Sequence, residues 1–360
     1  MPLERACGPR ILGTWSFSLA ALEAAWPHLA RRSGEEAVLD ALLAACACAD
    51  LDPTVDSVGF GGLPDAVGRM SLDGAVMLGP ARFGGVCGLR RHLHPAEVAR
   101  LIMERTEHRL LCGEDADDFA DRHGLATAEL LADDARTAWE AWRRRRDAGD
   151  EAAIDQSKDS SLLGLRPVDP GPGSAAGGRL FRPGHDDVEG AAPFGHDTIG
   201  VLARDRDGLL GAACSTSGLP FKVPGRVGDS PIAGHGLFVE PGVGAATATG
   251  TGELISGICA SVVAIETLRR GGSPLDAIAE VMRRVEAVGD LRPHHQVAMI
   301  VMDADGGVAT GGFRPGFLSV VRDDDGSRIL QPDLVHRPDD DALPESATDG
   351  FAKSVPPPTA

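Results

Sequence analysis

The segment GHDTIGVLARD, Gly195 to Asp205, opens a strand-like run on a threonine that directly follows His196 and Asp197. Cleavage of the Asp197–Thr198 bond would put a hydroxyl and a free α-amine on one residue. An α-amine titrates near pH ~8, so it can take the hydroxyl proton close to neutrality and activate a weak nucleophile. While the bond is intact the same nitrogen is an amide and has no basicity. Residues 155–196 are rich in Ser, Pro, Gly and Asp without periodicity, as in DPGPGSAAGG, and read as a flexible linker able to leave the site once cut.

Further segments with catalytic residue types lie on both sides. Downstream are Ser215-Thr216-Ser217-Gly218, GRVGDSP (Gly225 to Pro231) and ATGTGE (Ala248 to Glu253). Upstream are GTWSF (Gly13 to Phe17), DSVGFGGLPD (Asp56 to Asp65), SLDGAVM (Ser71 to Met77) and TEHRLLCGEDADDFADRHG (Thr106 to Gly124). Taken with HDTIG and in this order, they resemble the glycosylasparaginase (aspartylglucosaminidase) branch of the N-terminal-nucleophile hydrolases. That branch is related to the plant-type asparaginases and isoaspartyl peptidases. The resemblance spans roughly residues 10–320, and Asp197 stands where the plant-type enzymes usually carry Gly.

The resemblance implies a four-layer αββα sandwich of the α+β class and a role for each matching residue. Thr198 would be the nucleophile and its freed amine the general base, with the Thr216 hydroxyl in support. Arg226 would grip a substrate α-carboxylate, for which a planar guanidinium with two parallel donors is suited. Asp229 would meet the α-ammonium. The Thr249 hydroxyl and the Gly250 N–H would form the oxyanion hole, and Trp15 and Ser57 would line the substrate site. His196, Asp197 and Thr198 would carry out autoprocessing into chains 1–197 and 198–360, which together form one structural domain. The implied reaction cleaves N4-(β-N-acetylglucosaminyl)-L-asparagine to aspartate and a glycosylamine, without metal or organic cofactor. A homodimer of two-chain protomers is the implied assembly.

Departures from the family pattern bear on substrate choice. Gly13 and Thr251 stand where many members have Asn, Leu78 where Asp often follows Met, and His235 where a small residue is usual. Other readings stay open: an isoaspartyl peptidase or L-asparaginase with the same threonine, an unprocessed amino-acid-binding pseudoenzyme, or a threonine endopeptidase acting on proteins.

Composition bounds the partners. With 35 basic against 53 acidic side chains the net charge is −18, which disfavours nucleic acid and anionic membrane surfaces. No window approaches the roughly 18 to 20 apolar residues of a membrane span. The start, MPLERACGPRILGTW, lacks both a basic n-region and an apolar h-region, so a cytoplasmic location is expected. The seven cysteines include no C-x-x-C pair and read as reduced core residues. The chain has no asparagine, hence no N-glycosylation acceptor. His92-x-His94 and His294-His295 have too few companions for a metal site and read as surface or loop histidines.

Positioning these residues requires alternating helices and strands. Helices are expected over Ser18 to Arg32 with an interruption at Pro27, after a capping box at Ser33–Glu36, from Pro95, over Thr127 to Asp147, over Glu253 to Arg270 and over Pro274 to Val288. Strands are expected at TIGVLARD, LLGAACST, VAMIVMD, GGVATGG and FLSVV. The last twenty or so residues, 340–360, read as a disordered tail.

Overall fold

Period-two alternation along the strands divides their side chains between two different cores, and this sets the layering. In β1 (Arg10–Thr14) Ile11 joins an outer core while Leu12 faces the other way. In β9 (Val297–Asp303) Val297, Met299 and Val301 face helices, and Ala298, Ile300 and Met302 face the opposite sheet. The computed structural model describes residues 8–149, 198–289, 291–292 and 294–339. The expected linker 155–196, with His196 and Asp197, and the expected tail 340–360 lie outside the described residues.

The larger sheet has eight strands in the order β12 (Gly326–Leu330), β11 (Ser319–Asp323), β1, β5 (Ile199–Arg204), β6 (Leu210–Thr216), β2 (Leu72–Gly79), β3 (Arg82–Leu89) and β4 (Leu110–Cys112). All its pairs are antiparallel except β3 with β4. The smaller sheet runs β13 (Leu334–Val335), β10 (Val308–Gly312), β9, β8 (Gly244–Gly250) and β7 (Leu237–Glu240). The two sheets pack face to face through Leu12, Met77, Leu202, Ala212, Val239 and Ile300, all essentially inaccessible. Helices α1 (Ser18–Ala30), α2 (Glu35–Asp50) and α3 (Pro95–Arg105) cover the outer face of the larger sheet. Two further helices, α7 (Ala260–Arg269) and α8 (Pro274–Val288), cover the smaller sheet. The result is the expected α+β sandwich with αββα layering. At one side α4 (Gly113–Arg122) packs on β3, while α5 (Asp133–Asp147) covers the loops near the site through Trp139 and Trp142, the latter stacked on Phe221 at 4.7 Å.

Several local expectations are corrected. Helix α1 runs through Pro27 to Ala30, because Ala21, Leu22, Ala25, Trp26 and Leu29 are all buried and this packing offsets one lost backbone bond. Ser33 forms no capping box: Gly34 caps α2, and its N–H donates to Asp205 Oδ2 at 2.6 Å. The capping box among the described helices is at Ser273 and Asp276, opening α8. Helix α5 begins at Asp133 and not at Thr127. The expected helix from Glu253 to Arg270 is two, α6 (Gly252–Ile258) and α7, because Cys259 adopts φ 52° between them. Cys112 and Cys259 are exposed and not core. His92 lies in a loop, as one of the two readings had it, but is buried and not at the surface, its Nδ1 2.9 Å from Asp117.

Candidate active site

Strand alternation also aims Thr198. It lies just ahead of β5, in phase with Gly200 and Leu202, which face the smaller sheet, and Ile199 pairs with Ser215 so that Thr198 comes beside Thr216 at the end of β6. On the smaller sheet Thr247 and Thr249 of β8 point back at this face. The space over Gly200 is filled by Thr247, whose Oγ1 would be 2.5 Å from a Cβ there.

Across this seam the backbone N–H of Thr198 donates to Thr249 Oγ1 at 3.0 Å. The Trp15 indole N–H donates to the same hydroxyl oxygen, also at 3.0 Å. Trp15 is held in the left-handed region at φ 64°, a conformation that costs a bulky residue about 1–3 kcal/mol and that recurs at functional sites. Its ring edge packs on Phe317 at 5.2 Å. The side chain of Thr198 is 3.3 Å, hydroxyl to hydroxyl, from Ser230. Its carbonyl accepts from Thr14 Oγ1 at 2.6 Å, and the Thr14 hydroxyl oxygen accepts from the Gly200 N–H at 2.8 Å. These bonds hold the threonine on both sides of its α-carbon.

A small cavity opens beside it, lined by Thr198, Thr216, Gly218, Leu219, Arg226, Gly228, Asp229, Ser230 and Gly250. Thr216 donates its hydroxyl to the Ser57 carbonyl at 3.3 Å and accepts from the Gly218 N–H at 2.9 Å. Ser57 is buried behind it, and its carbonyl also accepts from Ser217. Arg226 lays its Nε and Nη2 edge on the Glu253 carboxylate at 2.9 and 3.0 Å. Asp229 is buried, and its Oδ2 has no hydrogen-bond partner. Burial pushes its carboxyl up to about 7, against the attraction of Arg226. A buried acceptor left open in this way suits a cationic ligand.

Two glycines make the geometry possible. Gly250 has φ 112°, and a Cβ there would lie 2.4 Å from the Gln296 carbonyl oxygen. A Cβ on Gly252 would come within 2.8 Å of both Arg226 Nη2 and Asp229 Oδ1, so the two charged groups converge over a bare backbone.

The structure therefore brings Trp15, Ser57, Thr198, Thr216, Arg226, Asp229, Thr249 and Gly250 together at one end of the sheet seam. His196 and Asp197 lie outside the described residues. Sequence reasoning missed Thr14, Ser230, Glu253 and Lys222 as parts of the site. Ser230 stood in plain view beside Asp229 in GDSP. Lys222 is buried, with its pKa lowered by burial, and donates to the Ser217 carbonyl at 2.8 Å next to Thr216. No group of His, Cys, Asp and Glu among the described residues could hold a metal ion.

A threonine heading a central strand of an αββα sandwich, its backbone N–H held by a hydroxyl oxygen across the seam, is the arrangement of the N-terminal-nucleophile hydrolase class. The chain belongs to the asparaginase family, whose sequence pattern matches residues 14–329. It is similar to the N(4)-(β-N-acetylglucosaminyl)-L-asparaginase of Elizabethkingia miricola, 32% identical over 328 residues, covering 90% of this chain and 84% of that one. It is also similar to the enzymes of that name from Rattus norvegicus, 36% identical over 298 residues (79% and 80% covered), and Mus musculus, 35% identical over 296 residues (79% and 80%).

Proposed function

We propose that this protein is an amidohydrolase that processes itself between Asp197 and Thr198. It then cleaves the amide of N4-(β-N-acetylglucosaminyl)-L-asparagine to free aspartate and a glycosylamine. The observation that carries the reading is the pairing of Thr198 with a recognition site for a free amino-acid head group. Arg226 offers a carboxylate receptor, and Asp229 offers a buried oxygen without a partner for an ammonium.

Processing begins when the Thr198 hydroxyl attacks the Asp197 carbonyl, giving an ester by N-to-O shift that water then hydrolyses. The nitrogen that now donates to Thr249 becomes an amine. In turnover that amine takes the Thr198 hydroxyl proton as Oγ attacks the substrate β-carbonyl. The Thr249 hydroxyl and the Gly250 N–H stabilise the oxyanion, and the Ser230 hydroxyl orients Thr198 Oγ. The ammonium returns its proton to the departing glycosylamine nitrogen, and water hydrolyses the β-aspartyl ester.

The coarser activity, hydrolysis of an asparagine-type amide, is the one the family shares. The glycosylated substrate is favoured by the names of the relatives and by Asp197. The test is turnover of a glycoasparagine beside an isoaspartyl dipeptide and asparagine, with Thr198→Ala as control. Preference for the dipeptide would move the reading to an isoaspartyl peptidase.

We further propose a cytoplasmic location and a dimer of two-chain protomers. Two exposed free thiols, Cys112 and Cys259, fit a reducing compartment. The dimer rests on family resemblance and is checked by light scattering of the purified protein.

A further inference from the structure

His235 and Cys259 are both left unused by the reaction above, and they meet. Cys259 is exposed, and its Sγ lies 3.6 Å from His235 Nε2. Cys259 stands at the break between α6 and α7, held at φ 52°, and its thiol is also within 3.8 Å of the Ser256 carbonyl in the last turn of α6. Backbone bonds fix the histidine: its carbonyl accepts from Ser261 N–H at 3.3 Å and from the Ser261 hydroxyl at 2.7 Å, and Val262 N–H donates to the Gly234 carbonyl at 3.0 Å. The imidazole is therefore anchored to the same turn that carries the thiol.

We propose that Cys259 and His235 form a second nucleophilic site, distinct from Thr198, which reacts with low-molecular-weight disulfides. The geometry that carries this is an imidazole acceptor 3.6 Å from a sulfur that is itself exposed to solvent. Burial holds the His235 ring below its ordinary pKa, so at neutral pH it is present as the base and not as the imidazolium. In the reaction His235 Nε2 takes the Cys259 proton and the thiolate attacks one sulfur of the disulfide. The S–S bond breaks, the other sulfur leaves as a thiolate that can pick up the proton, and a mixed disulfide remains on Cys259. Four of the described cysteines, Cys46, Cys48, Cys87 and Cys214, are partly or fully buried, and burial pushes each thiol up, away from such chemistry.

The site sits where two active-site segments join. Helix α6 carries Glu253, the partner of Arg226, and ends at Cys259. The loop from Asp229 to Gly236 carries His235, with the Gly236 N–H bonded to the Asp229 carbonyl at 3.1 Å.

The test treats the native protein with dithiobis-nitrobenzoate and follows each thiol by peptide mass. Cys112 serves as the comparison, because it is exposed and has no histidine bonded to its sulfur among the described contacts. Cys259 should react about tenfold or more ahead of Cys112, and His235→Gln should bring the two to similar rates while leaving Cys112 unchanged. A thermal melt beside the parent reports whether the variant is folded. Equal rates at Cys259 and Cys112 in the native protein would overturn the proposal, and that comparison needs no variant. A Cys259 rate unmoved in folded His235→Gln would overturn it as well.

Discussion

Thr198 on the larger sheet and Thr249 on the smaller one face each other across the seam, joined by a 3.0 Å bond from the Thr198 N–H to the Thr249 hydroxyl. The proposed self-cleavage would change what this contact is. With the bond intact the nitrogen is an amide donor; once cut it would be an amine whose lone pair could turn to its own hydroxyl. The Thr249 oxygen, also bonded by Trp15, is then available to orient its own proton toward an oxyanion.

Thr249→Val removes that donor and leaves the Trp15 N–H without its acceptor. Loss of one oxyanion-hole donor costs about 2.7–4 kcal/mol of barrier, so kcat should fall by roughly a hundred- to a thousandfold with a smaller change in KM. Single-turnover rates on processed protein measure this directly.

Ser230→Ala deletes the hydroxyl 3.3 Å from the Thr198 hydroxyl, the proposed nucleophile. A neutral hydrogen bond of this kind is worth about 1 kcal/mol, so turnover should slow by roughly fivefold while the protein still processes. The check is kcat at saturating substrate beside the fraction of cut chain.

The two glycines of the site should separate fold from binding. A Cβ at Gly250 would strike the Gln296 backbone at 2.4 Å from a positive φ, so Gly250→Ala should leave uncut or insoluble protein. A Cβ at Gly252 would meet the ends of two side chains, Arg226 and Asp229, at 2.8 Å, and backbone only at 3.2 Å, at the Asp229 nitrogen. Gly252→Ala should therefore fold and process, with KM raised by about tenfold or more. Thermal melts and substrate kinetics on both variants distinguish the outcomes.

Asp229 gives a pH dependence with a definite sign. Its carboxyl, pushed up to about 7 by burial, must be ionised to hold an ammonium, so kcat/KM should fall as the pH drops below about 7. Bound ammonium lowers the carboxyl again, so kcat should be less sensitive. The folded protein binds this proton more tightly than the unfolded chain, whose carboxyl titrates near ~4. The group's contribution to stability therefore declines as pH rises from about 4 to about 7. Asp229→Asn cannot ionise, so its Tm advantage over the parent should be present at about pH 8 and absent at about pH 4.

The sequence carried the chemistry further than it carried the local structure. Trp15, Thr198, Arg226 and Thr249 were singled out because each sits in a short motif that resembles the family's, and the fold brings them to one end of the sheet seam. Thr14 was not, since its bond to the Thr198 carbonyl spans the pairing of β1 with β5, which no local spacing reveals. Pro27 and Ser33 misled for the same reason. Buried apolar residues carried α1 past the proline, and Gly34, held through its N–H by Asp205 far along the chain, took the N-cap position in place of Ser33. His92, read as a surface or loop residue, does lie in a loop, but its partner Asp117 on another element buries it.

The central claim is that Thr198 acts through an amine freed by self-cleavage. Intact mass under denaturing conditions, on freshly purified protein beside Thr198→Ala, tests it most directly. The account predicts two fragments, residues 1–197 and 198–360, in the parent and a single chain in the variant. An uncut parent chain would contradict it: the base would still be locked in an amide, and the protein would be an amino-acid-binding relative of the hydrolases.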